Sequence, residues 1–345
     1  MEVREIHERF MQRCLQLALN GEPTVSPNPM VGCVIVHDNR VIGEGWHYRS
    51  GKPHAEVNAI RSVLDPEKLK DSTLYVSLEP CAHHGKTPPC TDLILSMGIP
   101  RVVIACRDKN SAVNGKGIEM LQKSGVAVIE GVLEREATYL NRKFFIFHEK
   151  KRPFVLLKWA QSLDGFLDKR RKAGETGVHW ITAPETRIFV HRQRSHCDAI
   201  LVGSRTVITD NPSLGIDELA APDPLRIILD PHLETAPEAQ VFRDDNYVLF
   251  TRKKTSRPRA IRINSDKEFL SQVLRDRYLN GIQSIMVEGG AQTLQSFIEA
   301  ELWDEAYVLI GGQTLGDGLP APRIPRLAQE VFPLETDQIV RYSRL

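Results

Sequence analysis

The chain has almost no net charge: 45 Lys and Arg stand against 44 Asp and Glu in 345 residues, a formal +1. That balance lacks the basic field by which a polyanion binder gathers nucleic acid, and equally the charge excess of a solvating acidic tail. Long apolar runs are missing as well. No stretch approaches the roughly 18 uninterrupted apolar residues of a membrane-spanning helix. Met1 to Met11 carries Glu2, Arg4, Glu5, Glu8 and Arg9 where a secretory leader has its apolar segment. Cysteine is sparse: positions 14, 33, 81, 90, 106 and 197 in so long a chain do not make a disulfide framework. They fit a reducing compartment, where a clustered pair points to a metal. There is no internal repeat and no low-complexity segment. The expectation is a cytoplasmic protein with neither a membrane nor a nucleic acid as partner.

What is present is an ordinary globular composition, 41% hydrophobic and 26% charged, in a length that suggests two domains. Residues 4–20 show helical spacing and stop at Asn20-Gly21. Val31–His37 and Arg40–Glu44 are expected strands joined at Asp38-Asn39, a hairpin signal. Helical spacing returns over His54–Val63, which puts His54 and Glu56 in one first turn. Thr73–Leu78 is an expected strand running into Glu79-Pro80-Cys81, followed by a helix over Thr91–Met97 and strands at Arg101–Ala105 and Val126–Glu130. In the second half, strands are expected at Phe154–Lys158, Ala199–Val202, Leu225–Leu229, Tyr247–Phe250, Ser284–Val287 and Tyr307–Ile310. Helices are expected over 184–195 and 291–300. Strands alternating with helices give α/β layers in both halves. The basic stretch His148–Arg152 marks the boundary, giving domains 1–148 and 149–345. Residues 252–259 form a basic loop, either a solvated connection or a contact to a phosphate.

The most informative constellation is His54-Ala55-Glu56 followed by Pro80-Cys81 and then Cys90. One imidazole and two thiolates give three ligands for tetrahedral Zn2+, and the open fourth position is what a catalytic site requires. Glu56, two residues past the histidine, can act as general acid/base. A His-x-Glu with a later Pro-Cys-x-x-Cys is the signature of zinc nucleobase deaminases. Here eight residues lie between the cysteines instead of two. The bland alternative, two buried thiols and a surface histidine, does not account for all four residues in order with Pro80 before the first cysteine. His83 and His84 lie between the cysteines and read as loop or substrate contacts.

Four segments now make a resemblance specific. They are Pro27-Asn28-Pro29-Met30-Val31-Gly32-Cys33, Gly45-Trp46-His47, His54-Ala55-Glu56-Val57, and Glu79-Pro80-Cys81-Ala82-His83-His84-Gly85-Lys86-Thr87-Pro88-Pro89-Cys90. Together they resemble the deaminase half of the bifunctional riboflavin-biosynthesis deaminase/reductases. The loop between the cysteines is close to diagnostic. The resemblance implies a cytidine-deaminase-like three-layer α/β/α domain acting on a pyrimidine ribosyl phosphate. It implies that Asn28 hydrogen-bonds the ring, and that His47, His83 and Lys86 contact ring or phosphate.

The same family implies a second domain with a dihydrofolate-reductase-like α/β fold, using NADPH. Leu157–Gly165, Leu201–Leu214 and Val287–Leu294 resemble its opening strand, its central motif and its glycine turn. Gly289-Gly290 has independent physics, since a glycine pair between strand and helix lets backbone N–H groups approach an anion. By resemblance the cofactor meets Ala160, Trp180, Thr206, Asp210, Gly290, Ala291, Gln292 and Thr293. The substrate meets Arg194, Leu214 and Glu288, and Lys158 and Asp210 supply positioning and the proton. Two positions depart from the family pattern: Val178 replaces a serine and Asp217 an arginine that holds the substrate phosphate. The connection from Gly165 to Trp180 is longer than usual and carries Lys169, Arg170, Arg171 and Lys172, which could restore phosphate binding. Two alternatives stay open: a nucleoside or tRNA deaminase, and a deaminase whose second half is non-catalytic or altered in specificity. A homodimer or higher homo-oligomer is expected by resemblance.

Overall fold

Period-two alternation of strand side chains sets the layers of the first half. The computed structural model describes residues 3–345 except 23, 83–87, 110–113, 218, 220 and 265–267. The chain separates into two units, Met1–Lys151 and Arg152–Leu345. The first runs α1 (Val3–Leu19), β1 (Gly32–His37), β2 (Arg40–Trp46), α2 (Ala55–Ser62), β3 (Thr73–Leu78), α3 (Cys90–Ser96), β4 (Arg101–Cys106), α4 (Lys116–Lys123), β5 (Ala127–Glu130), α5 (Glu134–Leu140) and α6 (Arg142–Lys150). Its sheet has the order β2-β1-β3-β4-β5, antiparallel through β3 and parallel beyond it. Asp38 and Asn39 both take positive φ, the two-residue turn whose twist suits a hairpin.

Cys33, Ile35, Leu74, Val76, Val102 and Ile104 face one side and pack on Ala55, Ala59, Ile94, Ile118 and Leu121 of α2, α3 and α4. Val34, Val36, Tyr75, Val103 and Ala105 face the other, against Phe10, Met11, Cys14 and Leu17 of α1, with Ala137 of α5 and Phe144 and Phe145 of α6. The result is the expected three-layer α/β/α arrangement. Each large apolar side chain so buried contributes roughly 1.5–3 kcal/mol before entropy is counted.

The second unit runs β6 (Phe154–Gln161), β7 (Phe166–Lys169), α7 (Pro184–Ser195), β8 (Ala199–Gly203), α8 (Ser204–Asp210), β9 (Leu225–Leu229), β10 (Tyr247–Thr251), β11 (Ala260–Arg262), α9 (Phe269–Leu279), β12 (Ser284–Val287), α10 (Ala291–Glu299), β13 (Glu305–Ile310), β14 (Gly318–Pro320), β15 (Glu330–Leu334) and β16 (Asp337–Ser343). Its main sheet has the order β11-β10-β9-β8-β12-β6-β13-β16-β15. The strands are parallel from β11 to β13 and antiparallel at β16 and β15. One face buries Val155, Leu157, Leu201, Ile285 and Val287 against Val273 and Leu274 of α9 and Leu294, Phe297 and Ile298 of α10. The other buries Ile200, Val202, Ile228 and Leu249 with Val207, Leu214 and Val241. Parallel strands buried on both faces read as continuous apolar runs, which is why Ala199–Val202 and Ser284–Val287 are visible in the sequence. In sheets of this kind ligands bind beyond the carboxyl ends of the strands.

Candidate active sites

In the first unit, β3 runs directly into Glu79-Pro80-Cys81. α2 starts at Ala55 with His54 as its N-cap, and Cys90 is the first residue of α3, one position earlier than the sequence suggests. The end of β3 and the two helix starts converge. His54 Nδ1 lies 3.3 Å from Cys90 Sγ and 3.6 Å from Cys81 Sγ, and the three donor atoms fall within 4.8 Å of one another. Around tetrahedral zinc, Zn–N near 2.0 Å and Zn–S near 2.3 Å place N and S about 3.5 Å apart. The residues therefore fit zinc: the donors stand at ligand spacing, and one imidazole with two sulfurs leaves the fourth position open. The Cys90 thiol, followed by the His54 imidazole, holds the Cys81 thiol down to about 4. Cys90 is pushed up by its partner Cys81 and by burial. The two sulfurs thus hold a proton between them that a bound cation releases.

Glu56 sits in the first turn of α2, 3% exposed. Burial pushes its carboxyl up; Cys81 adds to this and His54 opposes it. A carboxyl raised toward neutrality suits proton transfer. The cavity beside it has a volume of about 220 Å³ and includes Asn28, His47, His54, Glu56, Cys81 and Asp108 in its wall.

His47 has a more specific place than a general substrate contact. Its Nδ1 meets the Pro53 carbonyl at 3.1 Å, and its Nε2 meets Asn28 Nδ2 at 3.0 Å. A carbonyl only accepts, so Nδ1 carries the proton and the neutral ring accepts from Asn28 through Nε2. Both ring nitrogens are spent, and the Asn28 carbonyl oxygen is turned away from His47. Asn141 braces the same loop, accepting from Met30 N and donating to Met30 O, each at 2.8 Å. Glu79 is buried and accepts three backbone N–H groups: Asp108 at 3.2 Å, Gly115 at 2.9 Å and Gly117 at 2.9 Å. Sequence reasoning missed Asp108, Glu79 and Asn141, because each acts across a large sequence separation. His83 and Lys86 lie outside the described residues.

In the second unit, Arg194 of α7 grips Glu288 with two bonds, Nε to Oε1 at 2.5 Å and an Nη to Oε2 at 2.9 Å, and donates to Gly215 O at 2.9 Å. Lys158 of β6 reaches the same carboxylate at 3.4 Å. Burial alone would raise Glu288, but Arg194 and Lys158 hold it down to about 2. Burial lowers Lys158, and Glu288 opposes that shift. Leu214, one residue before the Gly215 carbonyl that Arg194 meets, is buried with a positive φ and packs on Ile200, Val202 and Val207.

A cavity of about 930 Å³ lies at the carboxyl ends of β8 and β12. Thr206, Gly290, Ala291, Gln292 and Thr293 line it, with Arg252 from the basic loop. Gly289 cannot be larger, since a Cβ there would stand 2.7 Å from Val202 Cα. Gly290 takes a positive φ at the N-cap of α10. Exposed backbone N–H groups at that helix start suit a dinucleotide pyrophosphate, and the volume suits a large cofactor. Ala160 and Trp180 are not among its lining residues. Trp180 is exposed, with Arg187 stacked 4.9 Å from its ring centre. Asp210 connects to the cavity wall through Arg171 at 3.3 Å. Val178 and Asp217 are both exposed. Lys172 is exposed, but Arg171 is engaged with protein partners and not open to a phosphate.

Two family models match. Residues 4–106 match the cytidine and deoxycytidylate deaminase zinc-binding region, and residues 153–340 match the RibD C-terminal domain. The riboflavin biosynthesis protein RibD of Aquifex aeolicus is 41% identical over 327 residues, covering 92% of this chain and 90% of that one. The Escherichia coli K12 protein of the same name is 38% identical over 331 residues, covering 90% and 88%. Among solved structures, a diaminohydroxyphosphoribosylaminopyrimidine deaminase/5-amino-6-(5-phosphoribosylamino)uracil reductase from Thermotoga maritima superposes with a TM-score of 0.88 at 36% identity, covering 99% of each chain. RibD of Acinetobacter baumannii gives a TM-score of 0.86 at 31% identity over 98% of each. The chain belongs to the RibD family of riboflavin-biosynthesis proteins, zinc- and NADPH-using enzymes that join a deaminase and a reductase in one polypeptide.

Proposed function

We propose that the first unit hydrolytically deaminates 2,5-diamino-6-(5-phosphoribosylamino)pyrimidin-4-one, and that the second reduces the ribosyl side chain of the product to ribityl. The observation that carries this reading is the ligand-spaced His54, Cys81 and Cys90 with buried Glu56 beside them, in a chain aligned along its length with a relative named for both steps.

Bound zinc supplies a water acidified toward neutrality. Glu56 takes a proton from the attacking water and delivers it to the leaving amine, so oxygen joins the ring carbon and ammonia departs. Asn28 orients the ring through its carbonyl oxygen, an acceptor for a ring-edge N–H, and His47 fixes that orientation. His83 and Lys86 contact ring or phosphate. In the second unit NADPH supplies the hydride. Thr206 and Gly290–Thr293 hold the cofactor, with Ala160, Trp180 and Asp210 completing its contacts. Arg194, Leu214 and Glu288 hold the substrate. The hydride goes to the sugar carbon that leaves the ring, and the proton goes to the ring oxygen, which becomes a ribityl hydroxyl. Lys158, desolvated against Glu288, positions the substrate and supplies that proton, with Asp210 as the other candidate. The protein works in the cytoplasm as a homodimer or higher homo-oligomer, without nucleic acid as partner. No described helix is long and apolar enough to cross a membrane.

Separated-function variants test this. Glu56→Gln should leave the diamino substrate untouched yet still reduce the deaminated compound with NADPH. Lys158→Ala should accumulate deaminated, unreduced product. Wild-type deamination by Glu56→Gln overturns the first assignment. Wild-type reduction by Lys158→Ala overturns the role given to that lysine. A wild-type chain that never reduces the deaminated compound points to altered specificity in the second half, where Asp217 stands.

A further inference from the structure

The end of β7 and the connection that follows it carry four cations, Lys169 to Lys172, and the structure commits three of them. Lys169 pairs with Glu175 at 2.6 Å, and Arg170 with Asp317 at 2.9 Å, both on the surface. Arg171 differs, with its side chain only 14% exposed. Its Nε donates to Asp168 Oδ2 at 2.5 Å, one Nη to Gly177 O at 2.7 Å, and the other to Asp210 Oδ1 at 3.3 Å. These acceptors belong to three segments: β7, the strap 170–180, and the last residue of α8. Gly177 N donates in turn to Thr209 O at 2.7 Å. Asp168, Arg171 and Thr209 all line the large cavity. A planar guanidinium can serve three acceptors at fixed angles; an ammonium cannot reproduce that fork.

We propose that Arg171 is a positioning residue of the reductase half, a clasp that fastens the strap 170–180 to the end of α8 and sets the Asp210 carboxylate at the edge of the cofactor cavity. The proposal rests on the reading of the second unit given above and deepens it. The strap ends in Val178, His179 and Trp180, so its docking decides where those three residues sit. The charged groups that act on Asp210 are Arg171 and Asp168. Burial raises its carboxyl, Arg171 opposes this, and Asp168 adds to it. His179 Nδ1 lies 3.4 Å from the other Asp168 oxygen, and Lys169 and Arg170 have the partners named above. Removing the guanidinium therefore has two effects. The strap loses its tie, and Asp210 takes up a proton at a higher pH.

The test compares full-length wild type, Arg171→Lys and Arg171→Gln. Three quantities are measured: amide exchange of Gly177 without cofactor, NADPH binding by fluorescence across pH, and deaminase turnover of the same samples. Arg171→Gln should exchange Gly177 faster, bind NADPH roughly tenfold more weakly, and move the acid limb of binding up by about one pH unit. Arg171→Lys keeps the charge, so its acid limb stays near wild type while Gly177 still exchanges faster. Deaminase turnover should be unchanged in both. Wild-type exchange and affinity in Arg171→Gln overturn the clasp. If that variant does not fold, unchanged Gly177 exchange in Arg171→Lys overturns it instead. A wild-type chain that binds no NADPH overturns the functional reading, while Gly177 exchange still reports on the clasp separately.

Discussion

At the scale of single residues, the buried cluster of Arg194, Glu288 and Lys158 concentrates much of the electrostatics of the second unit. Breaking a buried pair from one side leaves an uncompensated charge, so Arg194→Ala should destabilise this unit by roughly 3 kcal/mol, read in a denaturant titration. The sign with pH follows from Glu288. Its folded-state pKa of about 2 lies below its ordinary value, so its contribution is present above the unfolded carboxyl's range and is lost as pH falls toward 2. Wild type should lose stability across that acid window, and Glu288→Gln should show a flatter acid limb. Glu79 makes a second case. Both of its oxygens accept backbone N–H groups, so the amide of Glu79→Gln would face donors with a donor. Zinc content should hold while the Michaelis constant of the deaminase rises, because Asp108 in the cavity wall loses its backbone anchor; an unchanged constant would remove that role. His54, Glu56, Cys81 and Cys90 were legible because ligand chemistry imposes residue types at fixed spacing. Glu79, Asp108 and Asn141 were not, because their partners lie 29 or more residues away and no local pattern records such a contact.

At the scale of elements, the strands were the easiest to read. Thr73–Leu78, Leu225–Leu229 and Ser284–Val287 are bounded in the structure as the sequence suggests. Their apolar runs are short and sharply punctuated. Helices α4, α5 and α6 escaped notice for a physical reason. α4 has no capping side chain of its own and Gly115 as its N-cap; the Glu79 carboxylate, one residue past β3, accepts the Gly115 and Gly117 N–H groups there. Strands β15 and β16 were missed as well, since β15 is an exposed antiparallel edge with a weak apolar signal. The glycine turn was visible, and the structure explains its size limit. Gly289→Ala should destabilise the second unit by about 1–3 kcal/mol through overpacking against Val202, and NADPH affinity should fall with it. Wild-type affinity in that variant would detach the turn from the cofactor.

At the scale of the whole molecule, two units with separate hydrophobic cores imply two partly independent responses. Chelation of zinc should lower the thermal transition of the first unit, because metal binding free energy is linked to folding. NADPH should raise that of the second by mass action. Calorimetry with each ligand in turn should move one transition at a time; a single transition shifted equally by both would contradict the division. The central claim, however, is two successive reactions on one chain. The measurement that tests it most directly supplies zinc-loaded wild type with the diaminopyrimidine ribosyl phosphate, with and without NADPH, and reads the products by mass. Deaminated product alone without NADPH, and deaminated and reduced product with it, is the predicted result. Unchanged substrate under both conditions would contradict the account at its first step.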